Sequence, residues 1–179
     1  DLEITVIVKM PASIELVGSV AAPLQMLSSI TSELPDEMRV EFEVDDENKI
    51  SISTEYGNYD IVGKPAEEFP NTPTVESEKT IKIESVVLKD IIDKTVFAVS
   101  RDDLKPALTG VLFKFQSNNL TAVATDGHRL VKYEKLNIEN SVDLGDIIVP
   151  KKFLNLILSG LVGGEIKLSV GESHLTTTI

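Results

Sequence analysis

Leu2 to Val8 alternates apolar with polar residues, the pattern of a strand that buries one face. Ile14 to Val20 predicts a second strand leading into a helix over Ala21 to Ser32. There Leu24, Leu27 and Ile30 recur at helical spacing, and Pro23 is tolerated only in the first turn. Pro35 lies beyond the expected end. Arg39 to Val44 and Lys49 to Thr54 alternate strictly on either side of a polar Asp45-Asp46-Glu47-Asn48 turn, and Tyr56-Gly57-Asn58 turns the chain into a further strand, Tyr59 to Gly63. The order is strand, helix, then three strands.

Pro65 to Lys79, with three prolines and several acidic residues, has no period and reads as an extended crossing. Thr80 to Ile83 then predicts a strand, and Ser85 is placed to cap a helix running to about Ser100. Val87, Leu88, Ile91, Ile92, Thr95, Val96 and Val99 form its apolar face, leaving Lys89, Asp90, Asp93 and Lys94 outward. Beyond Pro106, Val111 to Phe115 and Leu120 to Ala124 alternate about a polar Ser117-Asn118-Asn119 turn. A tight Asp126-Gly127 hairpin, with His128 and Arg129 beside it, leads into Leu130 to Leu136.

The pattern then starts again: strand Ile147 to Val149, Pro150 at the first helical position, an apolar helix from Lys151, Gly163-Gly164, and strands Glu165 to Val170 and His174 to Ile179 about a Gly171-Glu172-Ser173 turn. Val20 to Ile52 and Val149 to Thr178 match as units, so the chain contains an internal repeat. Each unit has one apolar helix face and one apolar sheet face, which two units side by side would bury, with a helix pair on one side of antiparallel sheets. The expected fold class is therefore α+β.

Composition narrows this picture. At 179 residues and 42% hydrophobic, the chain suffices for one complete core and part of another. No apolar run approaches the roughly 18 residues of a membrane helix and no basic-then-apolar leader opens the chain, so a soluble, unexported protein is expected, and the lack of cysteine allows a cytoplasmic setting. Cysteine is absent, which excludes disulfides and thiolate metal sites, and the two histidines, His128 and His174, are too few for most imidazole-rich metal sites; no cofactor is expected. A start at Asp1 and a stop at Ile179 inside an apparent strand suggest a piece of a longer protein.

The formal net charge is −12, which at first argues against nucleic acid, because Lys and Arg drive phosphate binding. The distribution matters more. Residues 1–79 carry 5 basic and 17 acidic side chains, whereas residues 80–179 carry 12 of each. Acidic surface is ordinarily a solubility device; in a ring with a basic hole it would instead repel DNA from every surface but the channel.

Three pieces of sequence, Leu108-Thr109-Gly110, Leu120 and Thr125-Asp126-Gly127-His128-Arg129-Leu130, together resemble the middle domain of the bacterial DNA polymerase III beta subunit family, the sliding clamps. Gly63-Lys64-Pro65-Ala66-Glu67-Glu68-Phe69-Pro70 resembles the end of that family's first domain. The resemblance implies a DNA-clamp fold of repeated β-α-β-β-β units, with sheets outside and helices lining a channel. It divides the chain into 1–71, the C-terminal part of clamp domain 1, a linker at 72–78, and 79–179, the middle domain truncated at its C-terminal end.

The function implied is a non-catalytic, homodimeric ring that encircles double-stranded DNA without sequence specificity. Its implied partners are the DNA polymerase III catalytic subunit, the clamp loader and other replication and repair proteins with clamp-binding motifs, in a bacterial, nucleoid-associated setting with no membrane. Leu108, Thr125, Gly127, His128, Arg129 and Leu130 match the middle-domain side of the family's peptide groove. Leu108 and Leu130 would form apolar wall, Gly127 would let a peptide backbone approach, and His128 with Arg129 would form a polar rim. Tyr59 and Ile61 fall on the edge that resembles the protomer interface.

Lys151 and Lys152 stand in a helix's first turn, where the macrodipole disfavours each cation by roughly 0.3–1 kcal/mol. They are either solvated stems or, as the resemblance implies, channel residues; Arg101 and Lys105 join them as candidates, although positive charge at a helix end is also stabilising. Two readings from other classes compete. One is an enzyme or metal site using Asp126, His128 and Asp102, against which stands the absence of any His-Glu-x-x-His, phosphate-cradling loop or serine elbow. The other is a free-standing β-rich module that binds peptides and never meets DNA.

Overall fold

The computed structural model describes residues 3–71, 79–116, 118–136, 145–171 and 174–179. The chain divides into two units, Asp1–Thr72 and Pro73–Ile179. The expected linker at 72–78, and Ser117, Glu172 and Ser173 of two expected turns, lie outside the described residues.

In the first unit, β1 (Val20–Ala21) precedes α1 (Leu24–Ser32), followed by β2 (Glu41–Val44), β3 (Lys49–Thr54), β4 (Gly57–Val62) and β5 (Lys64–Pro65). The alternation of β3 places Ile50 and Ile52 on one face, and with Ile61 they form a small core onto which Val20, Leu27, Ile30 and Val40 pack. β2, β3 and β4 form an antiparallel sheet in that order, and β1 pairs with β5. The Asp45 turn works as its composition suggests: Asp45 Oδ1 accepts the amides of Glu47 and Lys49, each at 2.9 Å.

Three expectations for this unit are corrected. Leu2 to Val8 and most of Ile14 to Val20 form no strand from residue 3 onward; of the second run only Val20 pairs. Val6, Ile7, Val8, Ile14, Leu16 and Val17 are exposed, Val17 to 98%. Alternation specifies a face to be buried but does not supply the neighbour that buries it. Leu24 likewise leaves the helix face and is exposed, and the crossing expected from Pro65 begins with a strand and a 3-10 turn at Ala66–Glu68.

The second unit runs β6 (Lys79–Glu84), α2 (Ser85–Thr95), β7 (Gly110–Gln116), β8 (Asn119–Thr125), β9 (Leu130–Leu136), β10 (Gly145–Pro150), α3 (Lys151–Leu158), β11 (Glu165–Val170) and β12 (Leu175–Thr178). The two repeats are interleaved rather than merely adjacent. The strand before α2 joins the other repeat's sheet, in the order β12-β11-β6, and the strand before α3 joins the first repeat's sheet, in the order β10-β7-β8-β9. All pairings are antiparallel. One core results, with Leu88, Ile91 and Ile92 of α2 and Leu154 and Ile157 of α3 against Phe113, Leu120 and Ile166 of the sheets. Each repeat's sheet is completed by one strand from the other.

Local chemistry differs from expectation at both helix starts. Ser85 is the first helical residue rather than a cap, and its buried hydroxyl donates to the Gly163 carbonyl at 2.9 Å while its amide donates to Gly164. That pair ties α2 to the loop after α3. Pro150 precedes α3 instead of opening it, with extended ψ of 140°. α2 also stops at Thr95, whose hydroxyl donates back to the Ile91 carbonyl at 2.7 Å, and the chain tightens into a 3-10 turn at Val96–Ala98. This shortening positions the groove.

Lys94 and Asp90, expected to face outward, form an ion pair at 2.8 Å, and Tyr133 donates its hydroxyl to Asp90 while Lys94 lies 4.9 Å from the Tyr133 ring centre. They fasten α2 to β9.

Candidate partner-binding groove and nucleic-acid interface

The hairpin between β8 and β9 is a four-residue turn, not the expected two-residue one, because Thr125 pairs directly with Leu130. His128 and Arg129 are therefore in the turn itself. Asp126 Oδ1 accepts the amides of His128 and Arg129, both at 3.0 Å. Thr125 Oγ1 accepts the Gly127 amide at 3.1 Å and donates to the Arg129 carbonyl at 2.7 Å. Gly127 sits at φ +91°, and a methyl group there would meet nothing within 4 Å. Its role within the chain is conformational. Gly127→Ala is expected to cost about 1–2 kcal/mol by strain alone, read by chemical denaturation, with the amide resonances of His128 and Arg129 displaced.

The Arg129 and His128 amides, aided by the Arg129 guanidinium, hold the Asp126 carboxyl at about 2, below its ordinary value of 3.8. A depressed acid contributes stability that is complete above the ordinary carboxylate range and is lost as pH falls through about 2. The turn is thus fully wired at neutral pH.

Opposite the turn, residues 100–109 form a stitched loop. Ser100 donates its amide to the Leu108 carbonyl at 2.8 Å, Asp102 accepts the Leu104 amide at 3.1 Å, and Lys151 at the start of α3 donates its amide to Thr109 at 3.3 Å. Between loop, turn and the end of α2 lies a groove of about 680 Å³. Arg101, Lys105, Arg129 and Lys151 line it with His128, against the carboxylates Asp102 and Asp126 and the apolar floor of Phe97 and Val99. Cations outnumber anions two to one here, in a chain of net charge −12.

The groove gathers Arg101, Lys105 and Lys151, candidates for phosphate contact, with His128 and Arg129, candidates for peptide contact. Leu108, Thr125, Gly127, Leu130 and Lys152 are not among its lining residues. Leu130 is 65% exposed at the start of β9, and Leu108 is half-buried. Phe97, Val99, Asp102 and Asp126 line the groove without having been assigned to a binding site. A signal for Phe97 existed: it is absent from the apolar stripe of α2, and an aromatic residue off its stripe is a candidate for exposure.

Asp126, named in the enzyme alternative, accepts two backbone amides and the Arg129 guanidinium. Among the described residues no group of three or more His, Cys, Asp or Glu is arranged to hold a metal ion. No described helix is long and apolar enough to cross a membrane.

In the first unit, Tyr59 and Ile61 lie on β4, an edge of its sheet. Ile61 is 6% exposed and belongs to the core, although it also lines a shallow depression with Met26, Ser29 and Ile30 of α1; Tyr59 is exposed.

Interleaved repeats, a helix pair against antiparallel sheets and a cation-rich groove in the second unit define a clamp-type α+β protein. Residues 82–179 match the family model described as DNA polymerase III beta subunit, central domain. The chain is 33% identical to the beta sliding clamp of Halalkalibacterium halodurans over 77% of its own length and 37% of that protein. It is 35% identical to the beta sliding clamp of Synechococcus elongatus over 73% of its length and 34% of that protein. The crystal structure of the DNA polymerase sliding clamp from Bacillus subtilis superposes with a TM-score of 0.83 at 29% identity, covering 93% of this chain and 44% of that one. The chain belongs to the DNA polymerase III beta subunit family, the beta sliding clamps. It spans just over a third of the length of those curated relatives.

Proposed function

We propose that this chain is part of a sliding clamp that encircles duplex DNA and tethers the replicative polymerase to it, with no catalysis of its own. The observation that carries the reading is the collection of Arg101, Lys105 and Lys151 at one groove of an otherwise acidic protein that belongs to the clamp family. Contacts of such side chains to phosphate carry no sequence information and permit sliding. Processivity then follows from topology, since a closed ring needs little affinity to stay in place.

Residues 1–71 are read as the C-terminal part of clamp domain 1, 72–78 as a linker and 79–179 as most of domain 2. Three domains per protomer and two protomers head to tail would close the ring. The edge of β4 with Tyr59, beside the apolar depression of Met26, Ile30 and Ile61, supports a protomer contact by offering open strand bonds next to apolar surface.

The groove beside His128 and Arg129 is read as one wall of the site where the polymerase III catalytic subunit, the clamp loader and other partners insert a short hydrophobic motif; the other wall would come from a third domain. The setting is the bacterial cytoplasm at the nucleoid. The test is a reconstituted reaction with polymerase III and clamp loader. The full-length protein is expected to lengthen the products made per binding event on primed templates of unrelated sequence. Product lengths unaffected by its addition would refute the reading.

A further inference from the structure

Arg129 reaches back to α2 across 32 residues of sequence. Its Nη2 donates to the Phe97 carbonyl at 3.0 Å, its Nε donates to Asp126 Oδ2 at 3.0 Å, and its guanidinium carbon lies 5.6 Å from the Phe97 ring centre. The Phe97 carbonyl belongs to the 3-10 turn that ends α2, where main-chain acceptors lack helical partners and a cation is favoured. Asp126 meanwhile holds the backbone of His128 and Arg129 through its other oxygen. One carboxylate and one guanidinium thus join the hairpin turn, the end of the helix and the aromatic floor of the groove.

We propose that Asp126 and Arg129 are positioning residues: a latch that sets the turn against the end of α2, orients His128 and fixes the Phe97 floor, so that Arg129 serves partner binding through the groove's shape rather than by touching the partner. This rests on the reading of the groove as a partner-peptide site. The planar fork of arginine makes both bonds and the ring contact at once, which lysine cannot do. Asp126→Asn separates the latch from the turn. Asparagine keeps an oxygen for the amides of His128 and Arg129 but gives up the charge and the second acceptor that hold the guanidinium.

The probe is a fluorescein-labelled synthetic peptide bearing the hydrophobic clamp-binding motif of the polymerase III catalytic subunit, titrated into the full-length clamp and followed by anisotropy, with Tm recorded for every variant. Asp126→Asn and Arg129→Ala are each expected to weaken binding by roughly threefold to tenfold. The double variant should be no weaker than the worse single one, as members of one unit are not additive. The Phe97 and His128 amide resonances should move in both single variants without peptide.

A direct contact predicts the opposite sign for Asp126→Asn: the released guanidinium would bind the peptide equally well or better, and that result overturns the latch. Losses that add in the double variant, or affinity changes that merely track Tm, would also overturn it. Failure of the unsubstituted clamp to bind the peptide would instead overturn the underlying site reading, and the proposal with it.

Discussion

A clamp carrying both Lys151→Glu and Lys152→Glu is expected to load or slide poorly on duplex DNA while keeping its thermal stability. Lys151 lines the groove with Arg101 and Lys105, so its reversal changes the charge of the groove by two, and that of Lys152 changes the charge beside it in the same helical turn by two more. Two lost phosphate contacts should reduce the slope of log binding constant against log salt by about 1.8, at about 0.9 per phosphate. The fold should not suffer. Both residues stand in the first turn of α3, where the macrodipole favours an anion by roughly 0.3–1 kcal/mol. Replication unchanged in a reconstituted assay would refute the assignment of these residues to DNA.

Leu120→Ala is expected to have the largest effect on stability. Leu120 is fully buried on β8, which pairs with β7 on one side and β9 on the other and so has no edge along which to relax. Removing the isobutyl group leaves a cavity beneath α2, and substitutions of this kind cost about 2–5 kcal/mol. For a unit of this size each kcal/mol lowers Tm by about 4–8 °C, so a fall of at least about 8 °C is expected. Calorimetry of the two proteins side by side checks it, and a smaller fall would contradict the packing described for β8.

The strands of the second unit were legible because strict alternation, as in Lys79–Glu84 and Asn119–Thr125, admits only one face for the core. The interleaving was not. Nothing in the alternation of β6 says whether its hydrogen bonds go to its own repeat or, as they do, to β11. The same gap explains residues 5–19, where a strand-like pattern forms no strand.

Of the groove, the turn motif was readable from Thr125 to Leu130, since each residue of that string is tied to local backbone geometry. Val99 was harder, because its place on an apolar helical stripe marks it as core, whereas the helix ends at Thr95 and Val99 follows the 3-10 turn into the groove lining. Arg101 and Lys105 sit in a segment without period, held by bonds from Ser100 and Asp102 that only the folded loop displays.

Encirclement is tested most directly by loading the full-length clamp onto a nicked circular duplex, then cutting the circle once, with and without protein blocks bound near the new ends. The account predicts stable retention on the circle, rapid loss after the cut, and restored retention when the ends are blocked. Retention on unblocked linear DNA equal to that on the circle, or loss from the intact circle at the same rate, would contradict it.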